Sequence, residues 1–193
     1  MYKKIDRIPS LLLLIFLPAI LVGCNSQQTD EFVYTTLTKA ALTAGDAIPL
    51  PSEEAIITVT GKIGTSNQDG NIVMDIPTIE SLGLVEYTVS VDPFADREIV
   101  YEGVLMNDLL DLWQIDADAT ILKMTALNDY QVDVPLELIR EYPVVFALKT
   151  DGEYMSIAEK GPAMLVFPYD HFEFEQPGTN QYWIWQIKSI DVE

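Results

Sequence analysis

The chain carries one histidine and one cysteine among 30 carboxylates, so few groups are available for chemistry. The histidine, His171, sits in Tyr169-Asp170-His171-Phe172-Glu173. An aspartate beside a histidine can orient a general base, but such a base needs a nucleophile within reach. Ser156 and Ser189 are available, and neither has a nucleophile motif around it. A metal site of one imidazole and several carboxylates would need ligand spacing such as His-x-x-x-His, which a single histidine does not supply. His171 therefore reads as a loop or surface histidine. Asn67-Gln68-Asp69-Gly70-Asn71 has the look of a calcium loop, yet Thr65 and Ile76 fall where carboxylate ligands belong. Asp69-Gly70 reads better as a hairpin turn. No catalytic or metal-binding residue is assigned.

What remains is a set of residues suited to the rim of a cleft. Asn128, Asp129 and Tyr130 open a strand, where Asn and Asp serve equally as turn formers. Lys160 precedes the Gly-Pro start of residues 161–170 (GPAMLVFPYD), an apolar strand that ends in Tyr169, Asp170 and His171. Residues 169–181 form a long connection, and such loops are often functional. Tyr169, His171, Phe172 and Phe174 lie in it, with Tyr182, Trp183 and Trp185 just after. Exposed, these rings would make an interaction surface; alternating, they would pack the core.

The elements that must hold these residues are short. Residues 56–63 and 72–76 are β-branched strands. Residues 77–83 make a helical turn between Pro77 and Gly83, and residues 84–91 form a strand ending in a loop at 92–96. Residues 104–113 place Leu105, Leu109, Leu112 and Trp113 at helical spacing opposite Asn107, Asp108 and Asp111, an apolar stripe with a solvated acidic face. Strands at 120–126, 130–134 and 144–149, a short helix at 135–142, a turn at Asp151-Gly152 and a closing strand over 182–192 complete the pattern. Short strands with occasional short helices predict an α+β fold dominated by β.

The N-terminus has the character of an export signal. Lys3, Lys4 and Arg7 precede an apolar run over residues 11–22, shorter than the about 20 residues a membrane span needs. Leu21-Val22-Gly23-Cys24 resembles the lipobox of bacterial lipoproteins, which implies lipidation of Cys24 and cleavage before it. Residues 1–23 are then a signal peptide, and 24–54 a lipidated cysteine and linker, polar near Asn25 and extended at Ile48-Pro49-Leu50-Pro51. A short helix is conceivable at 38–44. The folded domain spans 55–193. With Cys24 acylated, no thiol remains for a disulfide or a thiolate ligand. The net charge of −19 becomes more negative once the basic leader is gone. Such a surface argues against nucleic acid and is repelled by an anionic bilayer, so membrane attachment falls to the lipid.

Several segments taken in order carry a family resemblance. They are YEGVLMNDLL at 101–110, ALNDY at 126–130, PVVFA at 143–147, GEYM at 152–155, KGPAMLVFP at 160–168 and WQIKSI at 185–190. Together they resemble the molybdopterin-binding domain of the sulfite oxidase family, with its GVxLxDLL helix, DxY strand and GGPLRLVxP…W ending. The resemblance covers about residues 55–192. It implies a β-rich mixed α+β fold of the sulfite oxidase molybdopterin-binding type, with the cofactor in a cleft and a cysteine thiolate on a strand-end loop binding the metal. The corresponding stretch here, residues 88–93, has no cysteine, only Ser90 and Val91. Met164 stands where the family ending has arginine, and the remaining cations, Arg97 and Lys160 among them, are scattered.

The expectation is an extracytoplasmic, periplasm-facing domain held to a bacterial membrane by its N-terminal lipid. It is non-catalytic and without a bound cofactor, and it uses the old cofactor cleft for a small ligand or an envelope protein partner. The alternative is a molybdopterin-dependent oxidoreductase with non-cysteine ligation or a partner subunit, which would need Lys160, Arg97 and His171 gathered in one cleft. A purely structural envelope protein is the third reading, and a deep polar cleft would count against it.

Overall fold

A computed structural model describes residues 33–175 and 178–193; the leader and Cys24 lie outside them. In chain order the elements are β1 (Thr35–Thr36), β2 (Ile57–Gly61), β3 (Ile72–Met74), α1 (Ile76–Glu80), β4 (Val85–Val89), β5 (Ile99–Leu105) and α2 (Met106–Leu112). There follow β6 (Ile121–Ala126), β7 (Gln131–Pro135), α3 (Leu136–Glu141), β8 (Val145–Thr150), β9 (Glu153–Tyr154), β10 (Met164–Val166) and β11 (Ile187–Val192). Among the described residues no helix is long and apolar enough to cross a membrane.

The strands form two sheets. One runs β1-β4-β5-β8-β10, with β9 also on β8; the other runs β3-β2-β11-β6-β7. Alternation explains the second sheet: Leu122, Met124 and Ala126 of β6 point inward while Ile121, Lys123 and Thr125 are half-buried on the other face. In the first sheet Val145, Phe146, Ala147 and Leu148 of β8 are all buried, as is every residue of β10. Strands covered on both faces read as continuous apolar runs. The backbones of β5 and β8 approach closely at Gly103, where a Cβ would fall 2.1 Å from the Phe146 carbonyl oxygen, and the register shifts there.

The C-terminal chain couples the two sheets. The Leu165 amide donates to the Ile184 carbonyl at 3.0 Å, and the Ile187 amide to the Ala163 carbonyl at 3.1 Å. The chain then enters the second sheet as β11, parallel to β2 and antiparallel to β6.

Five expectations change. The linker expected over residues 24–54 is packed onto the domain from Val33 onward. Val33 and Ile48 are buried, and β1 pairs with β4. The Asp75 carboxylate also takes the amides of Ser52 and Glu53 at 2.6 and 2.9 Å. No helix forms at 38–44; turns there tie back to α1 through the Ala41 and Leu42 amides on the Ser81 carbonyl. The helix expected over 104–113 starts at Met106, because Val104 and Leu105 finish β5 opposite Phe146 and Val145. Its acidic face is not merely solvated, since Arg140 of α3 donates to Asp111 at 2.7 Å and to Asn107 at 3.1 Å. Finally, the closing strand expected from 182 begins only at Ile187, the residues before it being taken up by a 3₁₀ turn (Gly178–Tyr182) and the crossing between sheets.

Candidate functional site

A cleft of about 470 Å³ opens where the C-terminal chain leaves the first sheet for the second. One wall comes from the β6–β7 turn: Ala126, Asn128 and Tyr130. The opposite wall is Asn180 and Gln181 of the 3₁₀ turn with Trp183, Ile184 and Trp185 of the crossing, and Phe94 of the β4–β5 loop closes one end.

Burial sorts the rings. Trp183 is 1% exposed and packs edge-on against Tyr101 and Tyr169, whereas Trp185 is 36% exposed and turns to the cleft. Phe94 meets Trp185 edge to face, centroids 5.0 Å apart and planes at 77°. With Phe94 and Tyr130 46% and 51% exposed, the cleft has a wet aromatic mouth. The Lys160 ammonium stands 5.8 Å from the Phe94 centroid and 5.9 Å from that of Trp185, within cation–π reach of both.

Of the residues singled out in the sequence, Asn128 and Tyr130 line the cleft and Lys160 stands at its aromatic end. Asn128 caps its own turn, its side-chain oxygen accepting the Tyr130 amide at 3.1 Å. Asp129 sits at φ 64° and pairs with Lys188 at 2.5 Å, which lowers its pKa through the hydrogen bond and the charge. Its carboxylate is committed outside the cleft lining. Tyr169 is buried behind the wall. Its hydroxyl lies 2.7 Å from the Thr179 hydroxyl and donates to the Asn180 side-chain oxygen at 3.1 Å. Burial pushes the Tyr169 pKa up, against smaller opposing effects of Thr179 and the Trp183 indole.

Asp170 and His171 do not line the cleft. The Asp170 carboxylate accepts the amides of Ser90 and Val91 at 2.6 and 2.9 Å. His171 packs its ring against Tyr87, centroids 5.9 Å apart. Arg97 is likewise elsewhere, paired with Asp151 at 2.7 Å. Lys160, Arg97 and His171 are thus not gathered in one cleft. Phe172 and Phe174 are half-buried against Tyr142, so these two rings of the long loop serve packing.

The sequence reading passed over Phe94, Asn180 and Gln181. Phe94 stands in the loop at 92–96 outside any strand or helix period, so the sequence gives no sign whether its ring packs, as Phe172 and Phe174 do, or faces the cleft. Asn180 and Gln181 lay in the long 169–181 connection, whose length was the signal, but nothing marked them individually, because polar residues in a loop look alike until the turn is formed.

A molybdopterin would need a thiolate for its metal and cations for its phosphate, and the groups in place do not fit. On the loop where the family carries cysteine, Val91 offers no donor atom. The Ser90 hydroxyl is spent on Glu98 at 3.2 Å. Asp170 is spent on two amides, and Asp92 is buried with the Phe94 amide at 2.7 Å and the Tyr101 hydroxyl at 2.6 Å. Met164 is buried in β10. Among the described residues no three His, Cys, Asp or Glu side chains converge as a metal site.

No family model matches the sequence, and no curated protein does. Among solved structures, the sulfane dehydrogenase SoxCD from Paracoccus pantotrophus is similar, with a TM-score of 0.55 at 16% identity. The match covers 76% of this chain and 40% of that one. At that identity the likeness concerns the fold alone. The fold is α+β and β-rich, of the sulfite oxidase molybdopterin-binding type.

Proposed function

We propose that this protein is a non-catalytic binding domain, lipid-anchored through Cys24 on the periplasmic side of a bacterial membrane, that uses the cleft between its sheets to hold a small ligand. The observation that carries the reading is the cleft itself. Four rings and three side-chain amides line a concavity inside the range of about 300–1,000 Å³ usual for small-molecule sites. Among the described residues no thiol, imidazole or carboxylate lines it. Binding needs shape, stacking surface and oriented hydrogen-bonding groups, all of which are at hand; acid–base or nucleophilic turnover would fall to the Tyr130 phenol, which has no imidazole, carboxylate or thiol beside it in the lining.

The anchor rests on the basic leader, the apolar run and the Leu21-Val22-Gly23-Cys24 site. Because the chain is packed from Val33, the leash between lipid and domain is shorter than composition suggested.

The test is metal and pterin analysis of the full-length protein, purified from a host that makes molybdopterin, with mass spectrometry of its N-terminal peptide. The reading expects a diacylated Cys24 and neither molybdenum nor pterin. Stoichiometric molybdenum with pterin would overturn it and make the protein an oxidoreductase with an unfamiliar ligand set.

A further inference from the structure

Resting on that reading, we infer that the ligand is an uncharged sugar ring, one unit of a neutral glycan. Charge comes first. The chain has 30 carboxylates and a net charge of −19, yet among the described residues no carboxylate, lysine or arginine lines this cleft. A charged ligand would find no partner ion in the lining, only the Lys160 ammonium already facing the Phe94 and Trp185 rings, and an uncharged ligand needs none.

The shape of the aromatic surface comes next. Phe94 and Trp185 meet at 77°, so they form a corner rather than two parallel walls. A flat heteroaromatic ring stacks best in a parallel slot. A puckered saturated ring lays its C–H face on one ring and its edge on the other, while its hydroxyls project from the rim. Lys160, near both centroids, holds that corner in place.

The amides then supply the rim. The Asn128 side-chain oxygen is spent on the Tyr130 amide, and that of Asn180 on the Tyr169 hydroxyl. Each bond fixes the amide plane and leaves an NH₂ group to donate. Gln181 is fixed the other way, its NH₂ donating to the Gly178 carbonyl at 2.9 Å and leaving its oxygen to accept. Two donors and one acceptor with settled orientation match vicinal hydroxyls, each of which can donate and accept.

The experiment titrates full-length protein, in a zwitterionic detergent without sugar headgroups, by calorimetry and tryptophan fluorescence. The probes are neutral tetrasaccharides of glucose, galactose, mannose and N-acetylglucosamine, an acidic tetragalacturonate, and neopterin as the flat heteroaromatic. At least one neutral tetrasaccharide saturates the protein, and tetragalacturonate does not. Trp185→Ala weakens binding about tenfold or more, as expected for an aromatic anchor, and Trp185→Tyr restores most of it. Gln181→Ala, remote from the core, weakens binding without lowering thermal stability. Failure of every neutral saccharide to saturate overturns the inference. If neopterin then binds and molybdenum is absent, the small-ligand reading stands with a different ligand; if molybdenum and pterin co-purify, both fall.

Discussion

Asp170 holds Val91 from across the sheet: one carboxylate oxygen takes the Val91 amide at 2.9 Å while the other takes the Ser90 amide at 2.6 Å. The loop so held runs on to Phe94, which closes the cleft. Asp170→Ala frees both amides, and because the site is solvent-exposed water replaces them at a cost of about 1 kcal/mol. The larger effect is local. Hydrogen–deuterium exchange of residues 90–96 should accelerate while that of β8 and β10 stays as it was. Unchanged exchange in the loop would show that Phe94 is positioned by Asp92 and packing without Asp170.

The fold was readable where pattern carries it, and the site was not. Leu122, Met124 and Ala126 alternate with polar or half-buried neighbours, so β6 is visible in the sequence. The apolar run of β10 is visible for the opposite reason, being covered on both faces. Residues 33–54 misled because their buried groups are isolated. Val33 and Ile48 stand among polar, Pro-containing sequence with no period, and the segment is attached through β1 on β4 and through the Ser52 and Glu53 amides on Asp75, partners far along the chain. In the site, the cluster of rings over residues 182–185 was legible but not which ring faces a cleft. That depends on the crossing from Met164 to β11, where Trp185 bridges to Met164. Asp170 and His171 attracted attention as a chemical pair. Their side chains diverge, one to loop amides and one to the Tyr87 ring.

A second carboxylate, this one buried, ties the same loop to the core. Asp92 accepts the Tyr101 hydroxyl at 2.6 Å and the Phe94 amide at 2.7 Å, and both Asp92 and Tyr101 are buried. Burial and the bond to Asp92 push the Tyr101 pKa well up, so the phenol stays a donor at any working pH. Asp92→Ala orphans that hydroxyl and should cost about 2–4 kcal/mol. Tyr101→Phe alone should cost about 1–3 kcal/mol, leaving the carboxylate partly satisfied by Phe94. In the double variant the two losses should fall short of additive by about 1–2 kcal/mol, as residues in direct contact do. Urea unfolding of the four proteins measures it, and strict additivity would mean that the pair does not interact.

Asp75 gives the domain a pH dependence of known sign. Burial raises its pKa, but the Thr78 hydroxyl and the amides of Glu53, Thr78 and Ser52 together outweigh burial and hold the carboxyl well below its ordinary range. A folded pKa below the unfolded one contributes stability that is fully present above the unfolded value, near about 3.9, and is lost as pH falls through the folded value. Asp75→Asn keeps one acceptor and loses the charge, so at pH 7 it should be less stable by about 1–3 kcal/mol. The gap should narrow as pH drops below about 4, because the wild-type carboxyl then gains a proton on unfolding. Urea midpoints between pH 7 and pH 2 test this; a gap of constant size would show that the charge of Asp75 contributes nothing.

Lys160 combines two opposed effects that two substitutions separate. It is held at φ 103°, a left-handed conformation that costs a residue with a Cβ of order 1–3 kcal/mol. Its carbonyl nevertheless accepts the Gln186 amide at 3.0 Å, fixing the start of the crossing, and its ammonium stands near the Phe94 and Trp185 rings. Those cation–π contacts return about 0.5–1 kcal/mol at an exposed site. Lys160→Gly removes strain and ammonium together, so it should be as stable as wild type or more so by up to about 1 kcal/mol. Lys160→Met keeps the strain and loses the ammonium, so it should be less stable by about 0.5–1 kcal/mol. Both variants release the aromatic corner, and both should show a red-shifted, more readily quenched Trp185 fluorescence, since Trp113 and Trp183 are buried. If Lys160→Met were as stable as Lys160→Gly, the backbone at residue 160 would carry no strain. If neither altered the emission, the ammonium would have no part in holding Phe94 against Trp185.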